Sequence, residues 1–318
     1  MFSPFPLLRL PRLVLSEVFK LLSIGDKIML SLCSKRISTQ INNDRLYSQK
    51  VILDLHDFDG KIVVHFENDR DTFEIFISPE TERTFRSNAR QYSIAGCTVR
   101  VTKTRNGIRT LWKNYQDQKE GFRSVIRHLS NMFQCKIPTG SNCCDIVLFE
   151  TRVSLLFDLQ VEFESLCVRF TGSKDENLLF NQLSSGFRLV EDLCISSTPD
   201  PGFIPVFSSW PQEISIWSSA WFTLEHLLES TCTRITLWIS LLKNKDLDEI
   251  LKNWKAGRLP NLKHLSIDSL NITNNGEHIL GMNLRELDGM VIQTDDGSKK
   301  ATIKRRPHDI SMFVTPLE

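Results

Sequence analysis

The side chains best able to do chemistry are dispersed along this 318-residue chain, and none falls into a catalytic spacing. Cys143-Cys144 is the close cysteine pair, Cys135 lies a short way before it, and His128 is the nearest histidine. A zinc site needs two ligand knuckles at regular spacing. No C-x-x-C pair exists, and the eight-ligand pattern of a RING module is absent. A thiol nucleophile needs a base and an orienting partner. The histidines at 56, 65, 128, 226, 264, 278 and 308 sit in no such signature, and His264 reads as an ordinary strand residue. No glycine-rich phosphate loop and no G-x-S-x-G string occurs. Asp246-Leu-Asp248-Glu249 suits a helix start and Asp69-Arg-Asp71 a turn. The expectation is a protein that is not an enzyme and uses no metal and no cofactor.

What remains is a chain built to hold surfaces. It is 41% hydrophobic and 24% charged, with net charge +1, so no global field draws it to nucleic acid or to an anionic membrane. The opening Met1-Phe-Ser-Pro-Phe-Pro lacks a signal peptide's pattern. No apolar run is long enough to span a bilayer. Those features predict a cytoplasmic or nuclear protein with reduced thiols. Cys33, Cys167 and Cys194 fall at apolar positions, where a buried small hydrophobe is expected.

The densest information lies between Phe5 and Arg36. Leu10-Pro11 opens one helix, and Gly25-Asp26 reads as the break before a second. On a helical wheel Val14, Leu15, Val18, Phe19, Leu21 and Leu22 cover roughly 160°, wider than the ~100° stripe of an ordinary surface helix. Leu13 falls among the polar residues on the other side. Such a helix is expected to be buried on two faces, one in its own module and one against a partner. A third helical stretch carries Ile37 and Ile41. Strands follow. Residues 51–58 and 61–66 flank Asp59-Gly60, residues 72–77 alternate with period two, and 97–102 joins 108–112 through Asn106-Gly107. That predicts four or five antiparallel strands. Phe122, Val125, Ile126, Leu129, Met132 and Phe133 then mark one face of a long helix.

Beyond residue 160, cores of the form Leu-x-Ile/Val recur at Leu166, Leu193, Ile214, Leu237 and Leu265, with a degenerate sixth at Leu287. Their spacings fall in the 20–29 range of leucine-rich repeats, although the asparagine ladder of regular repeats is missing. Helical segments lie at 177–183, 222–228 and 247–254. In the last, Leu247, Ile250, Leu251 and Trp254 make an inner stripe that Gly257 ends. A single irregular α/β domain fits the same pattern. Either way a mainly parallel sheet covered by helices is expected.

Leu10-Pro11, Val14-Leu15, Val18-Phe19, Leu22, Asp26 and Ser31-Leu-Cys-Ser-Lys-Arg36 resemble the F-box pattern, departing from it at Leu13 and Ile37. The helix at 120–133 and the segment from Lys245 to Ile267 resemble the nematode F-box proteins that carry a type-2 F-box-associated domain. The resemblance implies docking to a Skp-type linker of a cullin-RING (SCF-type) ubiquitin ligase, and recruitment of an unknown protein target by the C-terminal region. The organisation expected is therefore α+β: a three-helix F-box at 1–48, an antiparallel β region at 49–115, a leucine-rich-repeat-like recruiting domain at 116–300 and a C-terminal tail at 301–318. Leu10, Pro11, Val14, Val18, Phe19, Leu22, Ile28 and Leu32 are expected to bury apolar surface against the linker. Strand alternation puts Arg169, Ser196, Ser215, Trp238, Lys263, Ser266 and Asp268 on one exposed wall, and Arg169, Trp238, Lys263 and Asp268 are expected to touch the target. Neither nucleic acid nor a membrane is an expected partner. Lys299, Lys300, Lys304, Arg305 and Arg306 read equally well as an import signal or a solvated strand.

Overall fold

A computed structural model of the chain describes residues 9–43, 51–56, 61–67, 71–80, 89–113, 115–133, 137–138, 150–160, 162–170, 176–197 and 202–316. It resolves into two compact units, Met1–Ile146 with Asp158–Glu162, and Val147–Phe157 with Phe163–Glu318.

The first unit opens with α1 (Arg12–Leu21), α2 (Ile24–Cys33) and α3 (Lys35–Asn43). Gly25 and Asp26 do not separate the first two helices but lie in the first turn of α2. Ser23 is the cap: its hydroxyl accepts the Asp26 N–H at 3.1 Å and donates to the Asp26 carboxylate at 2.7 Å. That answers one of the donors a helix start leaves open. The strands β1 (Val51–His56), β2 (Lys61–Phe66), β3 (Thr72–Pro79), β4 (Arg90–Ile94), β5 (Cys97–Lys103) and β6 (Gly107–Trp112) form one sheet in the order β1-β2-β3-β6-β5-β4. The sheet is not wholly antiparallel, because β3 and β6 pair in parallel. The Asn106-Gly107 turn falls where the sequence predicts it. A Cβ at Gly107 would collide with the Glu74 carbonyl of β3, so the close approach needs glycine.

Alternation buries Ile62, Val64 and Phe66 on β2 and Phe73, Ile75 and Ile77 on β3. The helix α4 (Tyr115–Phe133) buries Phe122, Val125, Ile126, Leu129, Met132 and Phe133, the stripe read from sequence, and packs against β3, β6 and α3. It therefore belongs to this unit rather than to the C-terminal region. A two-residue strand β7 (Ile137–Pro138) follows, and Cys135, Cys143 and Cys144 lie outside the described residues.

The second unit contains α5 (Glu150–Asp158), β8 (Phe163–Phe170), α6 (Glu176–Ser184), β9 (Val190–Ser197), β10 (Glu213–Trp217), α7 (Leu224–Glu229), β11 (Arg234–Leu237), α8 (Asn244–Lys255) and β12 (His264–Asp268). A small hairpin β13 (His278–Ile279) and β14 (Met282–Asn283) and three strands β15 (Val291–Gln293), β16 (Lys299–Arg306) and β17 (Asp309–Pro316) complete it. Strands β8 to β12 pair in parallel and in chain order, and β17, β16 and β15 continue the sheet antiparallel from β12. Three expectations are corrected here. The core pair of β11 is Ile235 and Leu237, since Ile239 is exposed. Leu287 starts no strand. Residues 299–316 are a paired hairpin, not a tail. A regular leucine-rich-repeat solenoid is not confirmed.

One face of this sheet is apolar and covered. Phe170 on β8 meets Phe180 of α6 at 5.2 Å between ring centres, and Phe180 meets Phe207 at 5.0 Å. Leu247, Ile250, Leu251 and Trp254 of α8 are all buried, and Gly257 beyond it takes a φ of 75°. The turns after β10, β11 and β12 share a device. Each hides a serine, Ser219, Ser240 and Ser269. Ser219 donates to the Trp238 carbonyl from its N–H at 2.8 Å and from its hydroxyl at 3.0 Å. The Ser240 N–H donates to the Asp268 carbonyl at 2.8 Å, and the Ser269 hydroxyl donates to Ser240 and Leu242 carbonyls at 2.9 and 2.8 Å. These serines satisfy buried carbonyls that would otherwise be costly.

Candidate interaction surfaces

In the first unit the eight residues expected to meet a linker divide by exposure. Pro11 and Val14 are exposed, Leu10, Val18 and Leu22 are half-buried, and Phe19, Ile28 and Leu32 are buried. The last three do not wait for a partner, because their apolar surface is already taken up by the unit's own core. The wheel also misplaced the free face. Leu13 and Leu21, 83% and 88% exposed, flank Val14 on the outer side of α1. Leu21 is eight positions after Leu13, about 80° apart around the axis, so the three form one apolar stripe. Cys33, expected to be buried, is exposed.

Behind that face, Ser31 Oγ lies 2.8 Å from His128 Nε2 of α4. The pair resembles a nucleophile and its base, but its protons run the wrong way. The Ser31 hydroxyl donates to the Ile28 carbonyl at 2.7 Å, so it accepts from an Nε2–H of His128. Burial holds the His128 pKa below 6.5, which keeps the ring neutral and donating. The bond pins α2 to α4. Lys27 is likewise buried, its ammonium 4.9 Å above the Phe66 ring and its pKa lowered by desolvation. A polar hollow of about 550 Å³ in this unit is lined by Asp26, Asp71, Lys103 and Arg105 among others, a mixture of charges without a histidine or cysteine. Among the described residues no cluster of three metal-ligating side chains exists, and no helix is long and apolar enough to cross a membrane.

In the second unit the uncovered face of the sheet is legible in rows. Registers align Glu213, Arg234, His264 and Phe313 in one row, and Ser215, Thr236, Ser266 and Ser311 in the next. Trp217 and Trp238 stand beyond them at the strand ends, stacked with ring centres 4.4 Å apart and planes 14° apart. Trp217 is 46% exposed and Trp238 is half-buried. Ile239, next to Trp238, holds a φ of 54°, a strained value for a β-branched residue, and is 64% exposed.

Arg169, Ser196, Ser215, Trp238, Ser266 and Asp268 occupy this face as alternation predicts, and Arg169 is exposed at the β8 end in register with Ser196. Lys263 does not join them. It lies just before β12, outside the alternation, with its backbone bonded to Thr233 and Val314. Sequence reasoning missed Trp217 as the stacking partner, although both tryptophans sit at corresponding places at the ends of successive strands. It also missed Phe313, which lies 4.7 Å from the His264 ring.

Charges on this face are sorted. Glu213 accepts from Arg234 at 2.9 Å. Desolvation, then Glu213, raises the Asp192 pKa against the opposing pull of Arg234. Asp309 accepts from Ser266 at 2.8 Å and Ser311 at 3.1 Å. His264 is kept below its usual pKa by burial and then by Arg234, and its Nδ1 has no partner among the described residues.

Residues 7–49 of the chain match the F-box domain family, and residues 206–267 match the F-box associated family. The first match holds α1 to α3 and the second holds the tryptophan pair, α7 and α8. Two Caenorhabditis elegans proteins described as uncharacterised, F59B2.8 and F59B2.9, are 22% and 23% identical over 80% and 81% of the chain. The aligned regions are 58% and 61% of those proteins, so the chain spans about three-fifths of the curated relatives it matches. No solved structure matches the chain.

Proposed function

We propose that the chain is a substrate-recognition subunit of an SCF-type ubiquitin ligase. Its first unit docks to a Skp-type linker through the F-box, and its second unit recruits a protein target through the open sheet face. The observation that carries this reading is the placement of exposed apolar groups. Leu13, Val14 and Leu21 stand out from α1 inside the F-box match, and Trp217 with Trp238 stands out inside the F-box associated match. An adaptor needs two such surfaces and no catalytic apparatus, since transfer of ubiquitin would occur on other subunits. On this reading the linker meets Pro11, Leu13, Val14 and Leu21 directly, while Phe19, Ile28 and Leu32 hold the helices in place. The target meets Trp238, Asp268 and Arg169, and the protein works in the cytoplasm or nucleus.

A specific observation favours a second reading. The Ser31–His128 bond and the burial of Phe19 and Ile28 tie the helices into the first unit's own core, as an interaction scaffold independent of any ligase would require. Titration of the full chain with purified Skp-type linker separates the two. Saturable binding that is lost in a Leu13→Glu, Leu21→Glu variant supports the adaptor. Absence of binding by the folded wild-type chain leaves only the scaffold.

A further inference from the structure

The strand β16 breaks the charge balance of the second unit's open face. Its inward residues Ala301 and Ile303 are buried, and Lys300, Lys304 and Arg306 stand on the other side, all exposed. None of the three forms an ion pair among the described residues. Lys304 instead lies over the Phe313 ring at 5.5 Å. Of the acids on the face, Glu213 is neutralised by Arg234, and Asp309 accepts two serine hydroxyls and stands opposite Arg306 in register. Lys300 and Lys304 face Thr315 and Ser311 rather than an acid, so positive charge without an acidic neighbour across the strand gathers at this end.

The stacked tryptophans mark the other end. Three strand spacings of roughly 4.8 Å separate β11 from β16, about 14 Å, a distance that four or five extended residues cover. Between the two ends the row Thr236, Ser266, Ser311 is neutral and offers hydroxyls. We infer that this face binds a short acidic peptide segment, with an apolar or aromatic side chain on Trp217 and Trp238 and its carboxylates on Lys300, Lys304 and Arg306. The inference rests on the recruiting role proposed for the second unit and adds the chemistry and direction of the partner. Asp268 lies beside Trp238, next to the tryptophan end, and repels the reverse orientation, which would bring carboxylates onto it, while Asp309 stands opposite Arg306.

Three fluorescein-labelled heptapeptides test it by anisotropy on the full chain. One carries a tryptophan at one end and three glutamates at the other across a serine–glycine spacer. The second has lysines for the glutamates, and the third has alanine for the tryptophan. The glutamate probe should bind at least about tenfold tighter than the lysine probe, and added salt should weaken it. A Lys304→Glu, Arg306→Glu variant should lose about tenfold, and Lys304→Gln, Arg306→Gln a smaller factor. Binding of the glutamate probe no tighter than the lysine probe, including no binding of either, overturns the inference. Binding that falls in a Trp217→Ala, Trp238→Ala variant but ignores charge also overturns it and leaves the recruiting role intact. Binding indifferent to both variants removes the open face from both proposals.

Discussion

The outer side of α1 and the open face of the second unit both expose apolar groups, yet they come to do so by opposite routes. In α1 the excess is what remains after the unit has filled its own core, since Leu15 and Phe19 on the same helix are buried. On the sheet the excess is set apart by alternation, with Ile235 and Leu237 turned inward and Trp238 outward one residue later. A broad apolar arc on a helix thus does not say which part is core and which is interface. Alternation on a strand does, because period two divides the residues cleanly.

The sharpest way to break this contrast is to cut on both sides of α1. Phe19→Ala should lower stability by about 3–5 kcal/mol, as for a fully buried aromatic, and chemical denaturation would measure it. A loss below ~0.5 kcal/mol, the range of a surface change, would return Phe19 to the interface. Leu13→Glu, Leu21→Glu should leave stability within about 0.5 kcal/mol yet weaken linker binding about a hundredfold or more, read by calorimetry. Equal effects of the two variants on folding would erase the distinction between core and outer face.

On the sheet, Trp238→Ala should cost partner binding about 1–3 kcal/mol if it acts as an anchor. A double-mutant cycle with Trp217 in thermal melts should return a coupling of about 0.5–1.5 kcal/mol, the range for aromatic pairs. A melting loss as large as that of Phe19→Ala would place Trp238 in the core and end the contrast.

The smallest effect is a titration. The folded-state pKa of His128 is lowered by burial, so its stabilising contribution is full above the unfolded value of 6.5 and is lost as pH falls toward the folded value. Melts between about pH 8 and about pH 5 should therefore show a fall on acidification that His128→Gln diminishes. An unchanged slope in the variant would show that the bond to Ser31 carries no proton linkage.

Much of this architecture is legible in the chain, and the failures have physical causes. The α4 stripe and the α8 stripe are read correctly because period and burial coincide over three turns. The β11 register slips because Leu237-Trp-Ile239 imitates the Leu-x-Ile cores, while a positive φ at Ile239 turns the chain out of the sheet there. Residues 299–306 read as a tail because charge dominates them, yet buried Ala301 and Ile303 already alternate with the cations. Gly25-Asp26 reads as a break because those types favour turns, whereas the Ser23 cap draws them into the helix. The exposure of Leu13 and Leu21 depends on what the rest of the unit leaves uncovered, which no local pattern carries.

The hidden serines of the second unit have a consequence for how its sheet comes apart. Ser219 leans on the β11 turn and Ser240 on the β12 strand end, while Ser269 reaches back to the carbonyls of Ser240 and Leu242, so each turn depends on its immediate neighbours. An array held by nearest-neighbour terms opens like a zip rather than as a block. Replacing Ser269 with alanine would loosen the turns at Ser240 and Leu242 first, and amide exchange there should quicken before it does in β8 and β9. The tryptophans hang on the middle rungs, so the surface offered to a partner would be lost by fraying while most of the sheet still stood.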